Sequence, residues 1–225
     1  MTTLAAPWWR VVRFGFRLLY NEMAFTYDAV ADVVSLGQWW AWQRTALDFL
    51  PPPQDGPLLE LAHGTGRFAL SLQHAGYRTT HLDLSPAMGR ITGRRLRRAA
   101  LTPRLVRGDG GALPFPDEHF ASIVSTFPTP FIVQPKTLAE IARVLRPDGR
   151  VVMVVSGLLV GGSVAEAALE GAYAITGQRG GWGGHDLTAR AAAEGLALHE
   201  EQVRLARSVV LLLTAQRTSR PVASE

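Results

Sequence analysis

An α/β fold is predicted for this 225-residue sequence: a doubly wound, mostly parallel sheet with an antiparallel C-terminal hairpin at one edge, preceded by a helical cap. Three observations predict it. From about residue 57 to 156 short apolar runs alternate with amphipathic ones, the pattern of parallel βαβ units. Near the end, Leu196 to Arg204 and Ser208 to Arg217 are adjacent strand-like runs with Ala206-Arg207 between them, which reads as a hairpin. The first 50 residues carry helical periodicity and end at Pro51-Pro52-Pro53-Gln54-Asp55-Gly56, where three prolines cannot sit inside a helix.

Each element follows in order. In Trp8 to Glu22, Trp8, Val11, Val12, Gly15, Leu18 and Leu19 share one side of a helical wheel, with Arg10, Arg13 and Arg17 opposite. A second helix covers Phe25 to Val34, Ser35-Leu36-Gly37 breaks it, and Gln38 to Leu50 makes a third. Pro57 to Leu61 is a buried strand, Gly66 to Ala75 a helix and Arg78 to Leu82 a strand. Pro86 to Arg98 is a helix opened by Ser85 and Pro86. Arg104 to Arg107 and Phe120 to Thr126 are strands, Pro135 to Leu145 a helix, and Arg150 to Ser156 a β-branched strand. Gly157 to Gly184 holds nine glycines and no clear period, and reads as a covering segment with one helix, Val164 to Ala174. Thr188 to Glu194 is helical. The expected division is a cap over 1–50, an α/β domain over 51–217 and a disordered tail over 218–225.

Hydrophobic residues make up 47% of the chain and charged ones 19%, enough apolar side chains for a full core. The absence of cysteine excludes disulfides and thiolate chemistry. The six histidines are scattered with no His-x-x-x-His pair, so no metal site is expected. The net charge is +4, and Lys136 is the only lysine. This reads as a preference for arginine, with affinity for an anionic surface as the alternative. No run of about 18 uncharged apolar residues predicts a spanning helix. Trp8 and Trp9 precede the arginines, unlike a signal peptide. A cytoplasmic protein is expected, with peripheral membrane contact through the Trp/Arg first helix as an option. Arg90, Arg94, Arg97 and Arg98 read as a solvated helix face without interleaved aromatics, so no nucleic-acid partner is expected.

Three segments carry the chemistry. In Leu58-Leu59-Glu60-Leu61-Ala62-His63-Gly64-Thr65-Gly66-Arg67-Phe68-Ala69 a strand runs into a turn of small residues that opens a helix. Such a turn lets a ligand approach the backbone and offers free N–H groups to an anion. Gly64-x-Gly66-x-x-Ala69 also satisfies the loose dinucleotide fingerprint. Asp83, at the end of the next strand, faces the same crevice and can accept from both ribose hydroxyls of an adenosine. Arg107-Gly108-Asp109-Gly110-Gly111-Ala112-Leu113-Pro114-Phe115 places an acid just after a third strand, able to accept from an adenine amino group, and a dinucleotide fold has no need of it.

With these residues the chain resembles class I methyltransferases of Rossmann-like fold, specifically the group of ubiquinone/menaquinone-biosynthesis C-methyltransferases. The resemblance runs from about Tyr27 to Ser156. It includes Ile141-Ala142-Arg143-Val144-Leu145-Arg146-Pro147-Asp148-Gly149-Arg150 and, in the cap, Tyr27-Asp28, Ser35-Leu36-Gly37 and Trp40. It implies S-adenosyl-L-methionine as cofactor and a small-molecule acceptor, aromatic or lipophilic in the manner of a quinol or phenol. By the same resemblance Glu60 and the backbone of Ala62, His63, Gly64 and Gly66 would hold the methionine end. Asp83 would take the ribose, Leu84 and Met88 would flank the adenine, and Asp109 with the Gly110 N–H would read its edge. Thr126 would sit beside the sulfonium, and Tyr20 of the cap would join the cofactor site. The chain departs from the family pattern at Ala62, His63 and Ala121-Ser122. Ser125-Thr126-Phe127-Pro128 stands where amino-group methyltransferases carry Asn-Pro-Pro-Tyr. His63, His119, His185, Tyr20, Tyr27 and Asp28 are candidate bases and none is singled out. An NAD-dependent oxidoreductase and a non-catalytic cofactor-binding scaffold stay open as alternatives.

Overall fold

The computed structural model describes residues 26–160 and 184–218. The expected helices Trp8–Glu22, with Tyr20, and Val164–Ala174 lie outside these residues, as does the tail from 219. The described chain forms a seven-stranded sheet: β1 (Leu58–Leu61), β2 (Thr79–Asp83), β3 (Leu105–Arg107), β4 (Phe120–Thr126), β5 (Leu145–Leu159), β6 (Leu196–Leu205) and β7 (Ser208–Arg217). Their spatial order is β3-β2-β1-β4-β5-β7-β6. The first five are parallel, and β7 pairs antiparallel with both β5 and β6. The chain thus crosses over after β3 and starts again at β4, so the carboxyl ends of β1 and β4 open side by side. That reversal is the switch point at which ligands bind in open α/β sheets.

Helices follow the strands as the periodicity predicts: α1 (Tyr27–Val34) and α2 (Trp39–Arg44) in the cap, α3 (Arg67–His74), α4 (Pro86–Arg98), α5 (Pro135–Val144) and α6 (Gly184–Ala193). Ser85 caps α4 as expected, its Oγ accepting from the Met88 N–H at 3.3 Å. The third cap helix is shorter than Gln38–Leu50: α2 ends at Arg44, and Thr45–Phe49 continues as a 3-10 turn. The Thr45 hydroxyl donates to the Trp42 carbonyl at 2.7 Å, local side-chain competition that tightens the last turn. β5 starts five residues before Arg150, with Asp148 at φ 61 turning the corner of Pro147-Asp148-Gly149.

Strand alternation divides the core in two. Val151, Met153 and Val155 of β5 face α5 and α6 with Leu138, Ile141, Leu187 and Ala191. Val152 and Val154 face α3 and the cap with Phe68, Leu72, Trp42 and Ala46. Trp42 is 1% exposed, and its Nε1 donates to Ser208 Oγ at 2.8 Å. A Cβ on Gly157 would lie 2.4 Å from the Trp42 ring, so glycine is required for this close approach of α2 to β5. The cap is therefore fastened across β5 and the hairpin, above the switch point.

Candidate active site

The turn after β1 is a run of left-handed residues: Ala62 at φ 56, Gly64 at φ 54 and Gly66 at φ 77. A non-glycine residue in this region costs about 1–2 kcal/mol. Ala62 is held there by its N–H, which donates to the Leu82 carbonyl at 2.8 Å. Gly66 has a second reason to be glycine, since a Cβ would meet Thr92 of α4 at 2.5 Å. His63 is nearly buried, with Nδ1 2.9 Å from the Gly64 carbonyl and 3.1 Å from Thr92 Oγ1. A carbonyl only accepts, so Nδ1 carries the proton and fastens the turn. The residue that departs from the family pattern therefore tethers the loop to α4.

Asp83 ends β2 with its carboxylate turned to this loop. Oδ2 accepts from the Gly64 N–H at 2.9 Å and Oδ1 from the Ser85 N–H at 2.8 Å. Each oxygen keeps a lone pair for a ligand hydroxyl. Asp109 follows β3, half-exposed, with Oδ1 accepting from the Gly111 N–H at 2.8 Å and Lys136 Nζ 3.6 Å from Oδ2. The Gly111 N–H and the lysine charge hold its carboxyl below the usual value, and it is ionised at neutral pH. The loop carrying Asp109 is secured from behind by α5. Glu140 Oε2 accepts from the Leu113 N–H at 2.6 Å, and Arg143 grips Glu140, Asp117 and the Leu113 and Phe115 carbonyls.

One cavity of about 610 Å³ joins these pieces at the carboxyl ends of β1 to β4. Of the residues singled out in the sequence, Ala62, His63, Gly64, Asp83, Leu84, Asp109, Gly110 and Thr126 line it. Glu60, Gly66 and Met88 do not. Glu60 is buried in contact with His81, Oε2 to Nδ1 at 2.5 Å. Gly66 serves the backbone turn. Met88 is fully buried beside Ala87, packed by Tyr27 and Ile91. Tyr20 lies outside the described residues.

The far wall includes Gln43 and Phe127, which the sequence reading did not single out as site residues. Trp39 of α2 stacks on Phe127 with ring centroids 4.0 Å apart and planes 25° apart, and Tyr27 meets Trp39 edge-on. Phe127 takes φ 50 just after β4, a strained conformation of the kind that collects at binding sites. Gln43 Nε2 donates to Thr126 Oγ1 at 3.0 Å, joining cap to strand. Among the candidate bases, Asp28 is bound to Arg95 at 2.5 Å and to the Thr65 hydroxyl at 2.6 Å, so it docks the cap on the loop. His119 is exposed before β4, at the end of the sheet away from the cavity. Tyr27 lines the cavity, and His185 lies in α6.

Residues 59–153 match the profile of the methyltransferase domain family. This stretch is thus similar to methyltransferase domains. The ubiquinone/menaquinone biosynthesis C-methyltransferase UbiE of Roseobacter denitrificans is 36% identical over 141 residues, 60% of this chain and 56% of that protein. A demethylmenaquinone methyltransferase of Thermus thermophilus is 34% identical over 139 residues, 60% of this chain and 63% of that one. The chain thus spans little more than half the length of these relatives. The geranyl diphosphate C-methyltransferase of Streptomyces coelicolor, solved with S-adenosyl-L-homocysteine, has a TM-score of 0.56 at 15% identity, covering 79% of each chain. At that identity the likeness is one of fold. The match to the methyltransferase domain covers β1 to β5, and with them Asp83, Asp109 and Thr126, whereas Trp39 and Gln43 lie before it.

Proposed function

We propose that the protein transfers a methyl group from S-adenosyl-L-methionine to a small hydroxylated, aromatic or lipophilic acceptor of quinol or phenol type. The observation that carries this is one cavity with an acid at the end of β2, a second after β3 and an aromatic chamber beyond β4. Its volume, about 610 Å³, falls in the range of ligand pockets. In this reading Asp109 and Gly110 take the adenine, Leu84 flanks it, Asp83 takes the ribose hydroxyls, and the 62–66 backbone takes the amino-acid end. Thr126 stands at the reacting centre. The cofactor supplies an electrophilic methyl on a good leaving group, so the protein's part is alignment, which can contribute up to about 7–11 kcal/mol. The cap excludes water from above. The residues 51–217 are the catalytic unit and 1–50 the cap. Among the described residues no helix is long and apolar enough to cross a membrane. We place the protein in the cytoplasm, with the Trp/Arg segment near residue 8 able to rest on a membrane that holds a lipophilic acceptor, and without a nucleic-acid partner.

The test is transfer of label from methyl-labelled S-adenosyl-L-methionine to a panel of naphthols and hydroquinones, followed by mass spectrometry. The expected result is a mono-methylated product. Saturable binding of NADH, with no label transferred to any compound, would overturn the proposal.

A further inference from the structure

Among the described residues two buried side-chain atoms have no hydrogen-bond partner, Gln43 Oε1 and Thr137 Oγ1. Only Gln43 belongs to the cavity wall. Its side chain is held on both sides: it is 9% exposed on α2, and Nε2 is fixed by Thr126 Oγ1 at 3.0 Å. Turning the amide over does not remove the deficit. Oε1 would then accept from the Thr126 hydroxyl, and the amide nitrogen would be left without an acceptor. A buried polar atom without a partner is rare in folded proteins and is costly enough that each one calls for an explanation. Here the explanation lies in what the residue adjoins. Gln43 sits at the β4 end of the cavity, beside the stacked pair Trp39 and Phe127 and across the switch point from Asp109. Flat aromatic walls with one unanswered acceptor suit a planar ring that carries an O–H donor.

We infer that Gln43 Oε1 accepts a hydrogen bond from a hydroxyl of the methyl acceptor, and so selects hydroxylated rings and sets their position against Trp39 and Phe127. This rests on the methyl-transfer reading. Gln43 is a positioning and specificity residue: it moves no proton, and the Thr126 hydroxyl it engages keeps its own proton to donate toward the ligand. A hydroxyl is thereby read by an acceptor that nothing else among the described residues satisfies, the arrangement that discriminates most strongly against an analogue lacking the group.

The test uses protein saturated with S-adenosyl-L-homocysteine and two probes, 1,4-dihydroxynaphthalene (kept anaerobic) and its dimethyl ether, each titrated by calorimetry. The wild type is expected to prefer the dihydroxy compound by about tenfold or more, the worth of one buried hydrogen bond. Gln43→Met keeps the shape without the oxygen. It should leave the affinity for S-adenosyl-L-homocysteine unchanged and bring the preference close to one. Gln43→Glu retains acceptor oxygens and should keep the preference. A wild type that binds the ether as well as the dihydroxy compound, or binds neither, overturns the inference without recourse to any variant, as does a preference that survives in Gln43→Met. A tenfold loss of S-adenosyl-L-homocysteine affinity in Gln43→Met would assign the oxygen to the cofactor's ammonium group and also overturn it. If the wild type does not bind S-adenosyl-L-homocysteine at all, the methyl-transfer reading itself fails, a result separate from these.

Discussion

Gly66 shows how closely single residues are specified around the cavity. Its φ of 77 and the 2.5 Å approach of Thr92 are independent demands, one on backbone conformation and one on space. Gly66→Ala should lower stability by about 2–5 kcal/mol, summing roughly 1–2 for the left-handed backbone and about 1–3 for overpacking. Thr92→Ala in the same chain should recover the steric share and leave the backbone share, a non-additivity that urea unfolding of the two single variants and the double variant measures. The place of Asp83 in the cavity wall was legible in the sequence because its signal is local: an acid at a strand end, after a glycine-rich turn. Gln43 and Phe127 were not. Gln43 and its partner Thr126 are 83 residues apart, and nothing in either local pattern says that a cap helix will be laid over the end of β4. Glu60 is absent from the cavity wall for the opposite reason. Its position in the motif was right, but the side chain is taken by His81 on the neighbouring strand, which a one-dimensional pattern cannot show.

At the scale of elements, the loop between β3 and β4 depends on α5. Arg143 and Glu140 share hydrogen bonds at 2.7 Å and together hold three backbone groups of that loop. Arg143 holds the Glu140 carboxyl below its ordinary value. A carboxyl with a lowered folded pKa contributes stability that is present above its unfolded value, 4.5, and lost as pH falls through the folded one. Glu140→Gln should therefore be less stable than wild type at pH 7, and the two unfolding curves should converge as the pH is lowered well below 4.5. A difference that stays constant with pH would show that the pair does not stabilise the loop electrostatically. In the cap, α2 is fastened differently, by burial. Trp42→Ala should cost about 3–5 kcal/mol, as for large aromatic truncations in a core, read as a lowered urea midpoint. It also loosens the chamber formed by Trp39 and Phe127.

For the whole molecule, the alternation of strands and helices was legible because every βαβ unit is written locally, in period and caps. The placement of the last two strands was written as well, in burial rather than in order. β7 contains Val209-Val210-Leu211-Leu212-Leu213, an apolar run suited to an interior strand. β6 carries His199-Glu200-Glu201 and Arg204, suited to an exposed edge, and the sheet order β5-β7-β6 obeys that difference. The sheet thereby ends on an antiparallel edge, while the parallel half leaves its carboxyl ends open beneath the cap. The central claim is that this opening holds S-adenosyl-L-methionine, with its ribose on Asp83. The most direct measurement is calorimetric titration of the wild type and Asp83→Ala with S-adenosyl-L-homocysteine. The account predicts saturable one-site binding to the wild type, weakened at least about tenfold in Asp83→Ala, the loss of a charged hydrogen-bond acceptor being worth roughly 1.5–3 kcal/mol. Equal binding by both proteins would contradict the placement of the ribose, and no binding to the wild type would contradict the claim itself.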